Sequence, residues 1–219
     1  MTDILGRPAA HAEPADPKPA DSSAQRPTRS RARSLARSLA GSLARSLAYD
    51  ALLAPVSAQS LADAMVGEPE AAGRRWRRLA AYRLGSRGVV GADSVGPPTA
   101  GVVFGYGLIS AVLGLASWFL MLLAVMAVVR GPFWGFVDHG PIEPGTWGGP
   151  TRAGAWTAHG LIAVPCIIAF LFALRGIAAL QAQLVRPLYG LAARKWVLPA
   201  TIVLAGGSLA FFWSWFEQL

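Results

Sequence analysis

The chain carries little charge and almost no cysteine. Charged residues make up 15% of its 219 residues, whereas a soluble domain usually carries about 25%. Cys166 is the only cysteine, so an intrachain disulfide is excluded, and its place inside an apolar run predicts a packed core side chain. Together with the 53% hydrophobic content, the shortage of charge predicts membrane-embedded segments rather than a larger soluble core.

The sequence also lacks the motifs of common enzyme chemistry. It has no Ser/His/Asp set, no phosphate-binding glycine loop and no H-E-x-x-H motif. His139 with Asp138 and Glu143 could bind a divalent metal or respond to acid, but without ligand spacing they are typical of a solvated loop. We therefore expect a protein without enzymatic activity, cofactor or metal site, and with no nucleic-acid partner.

Long apolar runs are missing from the first 72 residues. Residues 1–30 are rich in Pro, Ala, Asp and Ser and cannot bury enough surface to fold. In residues 31–48, RARSLARSLAGSLARSLA, the repeat leaves two alternatives: a basic amphipathic helix on anionic lipids, or a low-complexity expansion. We interpret residues 1–72 as a disordered, low-complexity basic region. The first 65 or so residues precede a possible internal start at Met65, and we expect them to be dispensable for insertion.

Residues 73–100 form a basic and aromatic juxtamembrane segment. Arginine supplies cations for lipid phosphates, and tryptophan suits the headgroup region. Contact with the membrane surface is predicted for Arg74, Arg75, Trp76, Arg77 and Arg78. The alternative is a solvated helix face that contacts nothing. Pro97 and Pro98 then end any helix.

Three apolar runs lie within residues 101–219. They cover about 102–129, 155–174 and 197–216, and each has at least the roughly 20 residues that a helix needs to cross a bilayer. Small residues at 206–208 interrupt the third run, which membrane helices tolerate. The sequence predicts an all-α integral membrane protein with three transmembrane helices.

Small residues recur at four-residue spacing in the first apolar run. Gly101 and Gly105 form one pair, and Ser110 and Gly114 form another. Such spacing permits close packing of membrane helices, although it is also common by chance.

The distribution of basic residues predicts the orientation of the spans. Fourteen of the twenty Lys and Arg residues precede residue 90, and four lie between Arg175 and Lys195. By the positive-inside rule, the N-terminus and the connector at residues 175–196 are cytoplasmic. Residues 130–154 and the C-terminus then lie outside the inner (plasma) membrane.

The sequence WGGPTRAGAWTAH, residues 147–159, marks the return of the outer loop into the membrane. The two tryptophans suit the interface, the glycines and the proline permit a tight bend, and the threonine could cap the next helix. The histidine is either a sensing group or a side chain with a structural hydrogen bond to a nearby carbonyl or to the loop. The predicted site residues are Trp147, Gly148, Gly149, Pro150, Thr151, Trp156 and His159.

This segment resembles part of a sensor domain found in actinobacterial membrane proteins, a domain commonly fused ahead of a two-component histidine kinase. ALRGIAALQAQLVRPLYG at residues 173–190 and RRWRRLAAYRL at residues 74–84 extend the resemblance to about residues 74–191, the second half of that domain. The first hairpin of the family and the kinase have no counterpart, and the third span is additional. The resemblance implies a signalling module with a separate kinase as partner.

Two functions are compatible with these observations. The leading one is a non-enzymatic inner-membrane sensor-like module, which relays a periplasmic or bilayer signal through the connector to a cytoplasmic partner. The alternative is an accessory or assembly subunit of a larger membrane complex or transporter. Expected partners are anionic lipids at the basic N-terminal region, a histidine kinase or other membrane protein, and a second copy of the chain.

Overall fold

A computed structural model describes residues 26–84, 98–143, 145–189 and 191–218. Within these residues the regular structure is entirely helical. The α-helices are α1 Arg26–Val66, α2 Pro69–Leu84, α3 Ala100–Arg130, α4 Trp134–Val137, α5 Arg152–Leu184 and α6 Val197–Phe216, and a 3₁₀ helix, Arg186–Tyr189, follows α5.

Three helical segments are long and apolar enough to cross a membrane. They are Ala100–Arg130, Arg152–Leu188 and Val197–Phe216. Large apolar side chains such as Leu115, Leu161 and Val203 are exposed on their surfaces, as expected for helices that face lipid. The prediction of an all-α integral membrane protein with three transmembrane helices is confirmed.

The second span is longer than the sequence predicted. Helix α5 begins at Arg152 and ends at Leu184, so the first ten residues of the predicted connector continue the span as one helix. Near its end, the Gln181 side-chain amide donates a hydrogen bond to the Ser110 hydroxyl on α3. Cys166 is exposed on α5, so the prediction of a packed core cysteine was wrong.

The prediction that residues 1–72 are disordered was wrong from residue 26 onward; residues 1–25 lie outside the described residues. Helix α1 covers Arg26–Val66, and its later part contributes Tyr49, Leu53 and Ala64 to the buried core. A chain without the residues before Met65 would lack these core side chains, and their dispensability for insertion stays a prediction. Further back, Leu39 is largely exposed, and its contact with lipid stays a prediction.

Much of the buried face of α1 is made of serine and alanine. Ser57 and Ser60 are fully buried, and their hydroxyls donate to the carbonyls of Leu53 and Val56 at 2.6 and 2.8 Å. Because each hydroxyl is satisfied within its own helix, these serines pack as small residues. A hydrophobic periodicity built on leucine does not reveal such a face.

Helix α1 packs closely against α3. A Cβ atom on Gly114 would lie 2.6 Å from the backbone nitrogen of Ala54, and the Trp118 indole N–H donates to the carbonyl of Ala51 at 3.0 Å. Residue numbers fall along α1 as they rise along α3, so the two helices are antiparallel. A second small residue, Gly107, contacts Leu61 in the same register.

Only one of the two small-residue pairs in α3 lies at helix contacts. Gly114 faces α1, and its partner Ser110 faces α5 through Gln181. A Cβ atom on Gly101 or Gly105 would have no atom within 4 Å. Helix contacts therefore explain the second pair and not the first.

Helix α2 folds back along α1. The Arg75 guanidinium forms an ion pair with Asp63 at 3.3 Å and donates to the Gln59 side chain at 3.2 Å. A Cβ atom on Gly73 would lie 3.4 Å from Pro98, so the start of α2 lies near the start of α3.

The predicted membrane-surface residues of α2 separate into buried and exposed positions. Trp76 is 0% exposed in the core, so the prediction that it contacts the membrane surface was wrong. Arg74 forms an exposed 3.9 Å ion pair with Glu70, Arg77 is half-buried and Arg78 is exposed. The helical period turns the tryptophan inward while its neighbours stay outside, and lipid contact of the arginines stays a prediction.

Candidate functional site

Residues 131–151 connect α3 to α5 and form the α3–α5 corner. Gly131 lies directly against Ala163 on α5, and a Cβ atom on Gly135 would lie 2.6 Å from the ring of Trp156. Because a side chain at either glycine would meet α5, both positions allow the corner to close onto that helix.

Trp156 fixes the corner to α5. Its indole N–H donates to the carbonyl of Pro132 at 2.8 Å, and its ring packs edge-on against Phe136 with centroids 5.1 Å apart. The polar partner of this tryptophan is thus the protein backbone. Trp147, by contrast, is 69% exposed, as an interfacial anchor requires.

The glycine pair makes the predicted tight bend. Gly148 and Gly149 have φ angles of +93° and +91°, a region that other residues rarely adopt. A Cβ atom on Gly148 would also clash with the carbonyl of Gly154. The Thr151 hydroxyl accepts a hydrogen bond from the Gly154 N–H at 3.2 Å, which confirms the predicted helix cap. Pro150 lies between the bend and the cap and is exposed.

Arg152 organises the corner, a role that the sequence analysis missed. Its guanidinium donates to the carbonyls of Asp138 and Gly140 at 2.7 and 2.9 Å. A basic residue at the first position of a helix is unfavourable for the helix dipole. The unfavourable position of Arg152 in the helix dipole could have indicated that its side chain binds acceptors outside the helix.

His159 is held in one orientation at the corner. Its ring stacks on Trp134 with centroids 4.9 Å apart and an interplanar angle of 10°. Its Nδ1 lies 2.8 Å from the carbonyl oxygen of Ala155, so Nδ1 carries the proton and donates. The structural hydrogen bond considered from the sequence is therefore present, and Nε2 has no hydrogen-bond partner among the described residues.

Two clefts meet at His159. The first has a volume of about 420 Å³ and is lined by Val129, Arg130, Trp134, Val137, Asp138 and His159. The second, about 360 Å³, is almost entirely apolar and includes Gly131, Trp147, Ile162 and Phe170. His159 and Arg130 line both clefts, which places two polar groups beside an apolar groove.

Arg130 and Asp138 give the first cleft its charge. Arg130 is exposed and has no hydrogen bond or ion pair within the residues that the structure describes. One carboxylate oxygen of Asp138 accepts from the Gly140 N–H at 3.0 Å. The arrangement offers a cation, a carboxylate and an imidazole to a small polar group.

His139 is exposed in the corner and does not join the cleft. Across the part of the chain that is described, no three His, Cys, Asp or Glu side chains are grouped closely enough to hold a metal ion.

No known protein family, curated protein or solved structure matches the chain. The resemblance of residues 74–191 to the actinobacterial sensor domain therefore stays a prediction that depends on the sequence motifs quoted for it.

Proposed function

We propose that the chain is a non-enzymatic sensor-like module of the plasma membrane, which registers a periplasmic or bilayer signal at the α3–α5 corner and relays it to a cytoplasmic partner. The proposal depends chiefly on the position of His159. This histidine lines a cleft at one end of α5, and the same helix continues to Leu184.

In this proposal, the cleft at His159 is the site that recognises the signal. Its volume of about 420 Å³ lies in the range of small-molecule sites, which are typically about 300–1,000 Å³. The Nε2 atom of His159 and the guanidinium of Arg130 are both available to a bound group. Binding of an anionic group to these two side chains would alter the contact of the His159 ring with Trp134.

In this proposal, helix α5 transmits the change from the cleft toward the connector. Its 33 residues correspond to about 50 Å at 1.5 Å per residue. Gln181, fully buried near the far end, is hydrogen-bonded to Ser110 on α3. A tilt of α5 that begins at His159 would therefore change the packing around Gln181, which lies within the connector at residues 175–196.

The predicted topology and the sequence resemblance support the same direction of signalling. The basic residues predict that the connector faces the cytoplasm, and the domain that the chain resembles precedes histidine kinases. We propose a separate histidine kinase or another membrane protein as the partner, and anionic lipids as contacts of the basic N-terminal region.

Complementation in the organism that carries the gene tests this function. A deletion strain receives the parent, His159→Phe or His139→Ala, and the transcript profile and the amount of the protein in the membrane are measured. Phenylalanine can keep the stack on Trp134 but removes both ring nitrogens. We expect His159→Phe to accumulate at the parental level without restoring the profile, while His139→Ala restores it.

The accessory-subunit alternative predicts a different result. Restoration would then follow the amount of protein in the membrane, and deletion would lower the abundance of a co-purifying complex. Full restoration by His159→Phe at the parental level would overturn the sensory role of this histidine.

A further inference from the structure

A buried carboxyl group lies between α1 and its neighbours, far from the α3–α5 corner. Asp50 is 0% exposed, and neither of its side-chain oxygens has a hydrogen-bond partner among the described residues. Tyr49 beside it is also fully buried, and its hydroxyl likewise has no partner. Most buried polar groups in proteins have a hydrogen-bond partner, so this pair requires an explanation.

The register of α1 against α3 locates this carboxyl group. The contacts of Ala51 with Trp118 and of Ala54 with Gly114 place Asp50 near the level of Trp118, next to Ser117 and near the middle of Ala100–Arg130. The hydroxyl of Ser117 is buried without a partner as well. Asp50 therefore packs beside the middle of Ala100–Arg130.

Arg83 on α2 is the nearest opposite charge. Its guanidinium carbon lies 5.9 Å from the centre of the Tyr49 ring, and it interacts electrostatically with Asp50. The two do not form an ion pair within 4.0 Å among the described residues, and the Nε atom of Arg83 has no partner. Arg83 is thus close enough to act as a counter-ion without neutralising the carboxyl group by direct contact.

The remaining groups around the pair are few. Tyr49 and Asp50 belong to α1, Arg83 to α2 and Arg175 to α5, where Arg175 donates to the Ser42 hydroxyl at 2.5 Å and repels Arg83. Helix α3 presents Ser117 and Trp118 at this level, which carry no charge. Among the described residues, no second acid faces Asp50.

We propose that Asp50 is a proton-binding site within the helical core, with Arg83 as its counter-ion. At neutral pH the carboxyl group holds its proton. As the pH rises, the O–H bond breaks, the electron pair remains on the carboxylate and the proton passes to solvent water. Arg83 keeps its charge in both states. This site is distinct from the α3–α5 corner and does not depend on the proposed sensor function.

Burial supports this state of the acid. Burial raises the pKa of Asp50 to about 8, although Arg83 opposes the shift. Burial also raises the pKa of Tyr49 and lowers the pKa of Arg83. All three shifts have the same physical cause, which is the cost of placing a charge in an apolar interior.

Infrared spectroscopy of the purified full chain in lipid nanodiscs tests the proposal. A protonated carboxylic acid has a C=O stretching band that a carboxylate lacks, and difference spectra are recorded over a pH titration. The variants are Asp50→Asn and Asp63→Asn. Asp63 is a matched control on the same helix, because it forms an ion pair with Arg75.

We expect a protonated-acid band in the parent that disappears with a midpoint near pH 8. The band should be absent from Asp50→Asn and unchanged in Asp63→Asn. Should Asp50→Asn fail to fold, Asp50→Glu must retain a band at a shifted frequency. A folded parent without such a band at neutral pH, or a band that persists in folded Asp50→Asn, would overturn the proposal.

Discussion

Gly148 and Gly149 have the same backbone conformation but different surroundings. Both have positive φ, whereas a Cβ atom on Gly148 would meet the carbonyl of Gly154 and one on Gly149 would meet nothing within 4 Å. Gly149→Ala should lower the free energy of unfolding by about 1–3 kcal/mol through backbone strain alone. Gly148→Ala should cost more, since the steric clash adds to the strain.

Thermal unfolding of both variants in detergent checks this order. Gly160→Ala is the matched control, because Gly160 is inside α5 and a Cβ atom there has open space. It should leave the melting temperature unchanged or raise it. Equal effects of all three substitutions would contradict the assignment of the bend.

The buried acid predicts how stability depends on pH. The pKa of Asp50 is about 8 in the folded chain and near its ordinary value of 3.8 when exposed. Between these values the folded state binds one proton more than the unfolded state, so stability falls as the pH rises from about 4 to 8. Melting temperatures across this range should show the fall in the parent, and Asp50→Asn should lack that part of it. An identical pH profile for the two proteins would contradict the linkage.

At the residue scale, local chemistry could be predicted and distant partners could not. The cap at Thr151 and the bend at Gly148 follow from residue types that need no knowledge of the fold. Trp134 beneath His159, the carbonyls that Arg152 binds, and the buried state of Asp50 depend on elements that are distant in sequence. The sequence pattern therefore predicted where the α3–α5 corner lies in the chain, but it did not predict the cleft that the corner forms.

At the element scale, α1 is where the sequence analysis and the structure differ most. The repeat RARSLARSLAGSLARSLA suggested low complexity. The buried face lies farther along the helix and is formed by small residues together with Tyr49 and Leu53. This face shows no leucine periodicity. Its partner Gly114 lies in a spacing that is common by chance. The prediction of the three spans, in contrast, depends only on helix length and apolar composition. Both can be determined from the sequence without knowledge of tertiary contacts.

Truncation distinguishes the two parts of the N-terminal region. Residues 39–219 form one compact unit, so a chain that begins at residue 39 should accumulate in the membrane near the parental level. A chain that begins at Met65 loses Tyr49 and Leu53 from the core and should accumulate poorly. Quantitative immunoblots of membrane fractions measure both. Parental levels of the shorter chain would show that α1 is not needed for the fold.

A single substitution can test the packing of α1 against α3. Gly114→Leu places a side chain where the backbone of Ala54 lies within 2.6 Å of a Cβ atom, so the helices must separate. We expect a loss of about 1–3 kcal/mol or more in stability. Gly105→Leu on the same helix meets open space and should be nearly neutral when thermal unfolding is compared.

At the scale of the whole molecule, the three spans alternate in direction, and the basic residues predict which ends face the cytoplasm. Reporter fusions at residues 60 and 190 should be cytoplasmic, and fusions at 142 and 219 should lie outside. Residue 219 lies outside the described residues, but α6 ends at Phe216. A cytoplasmic reporter at 219 would mean that α6 does not cross the bilayer.

We propose that a change at His159 moves α5 relative to α3. Spin labels at Val102 on α3 and Ala179 on α5, both exposed, report this distance by double electron–electron resonance in a Cys166→Ser background. His159→Lys supplies a permanent charge at neutral pH, and His139→Lys is its control. We predict that the distance distribution of His159→Lys is shifted from that of the parent, and that His139→Lys shows no shift. Identical distributions for the parent and His159→Lys would contradict the account.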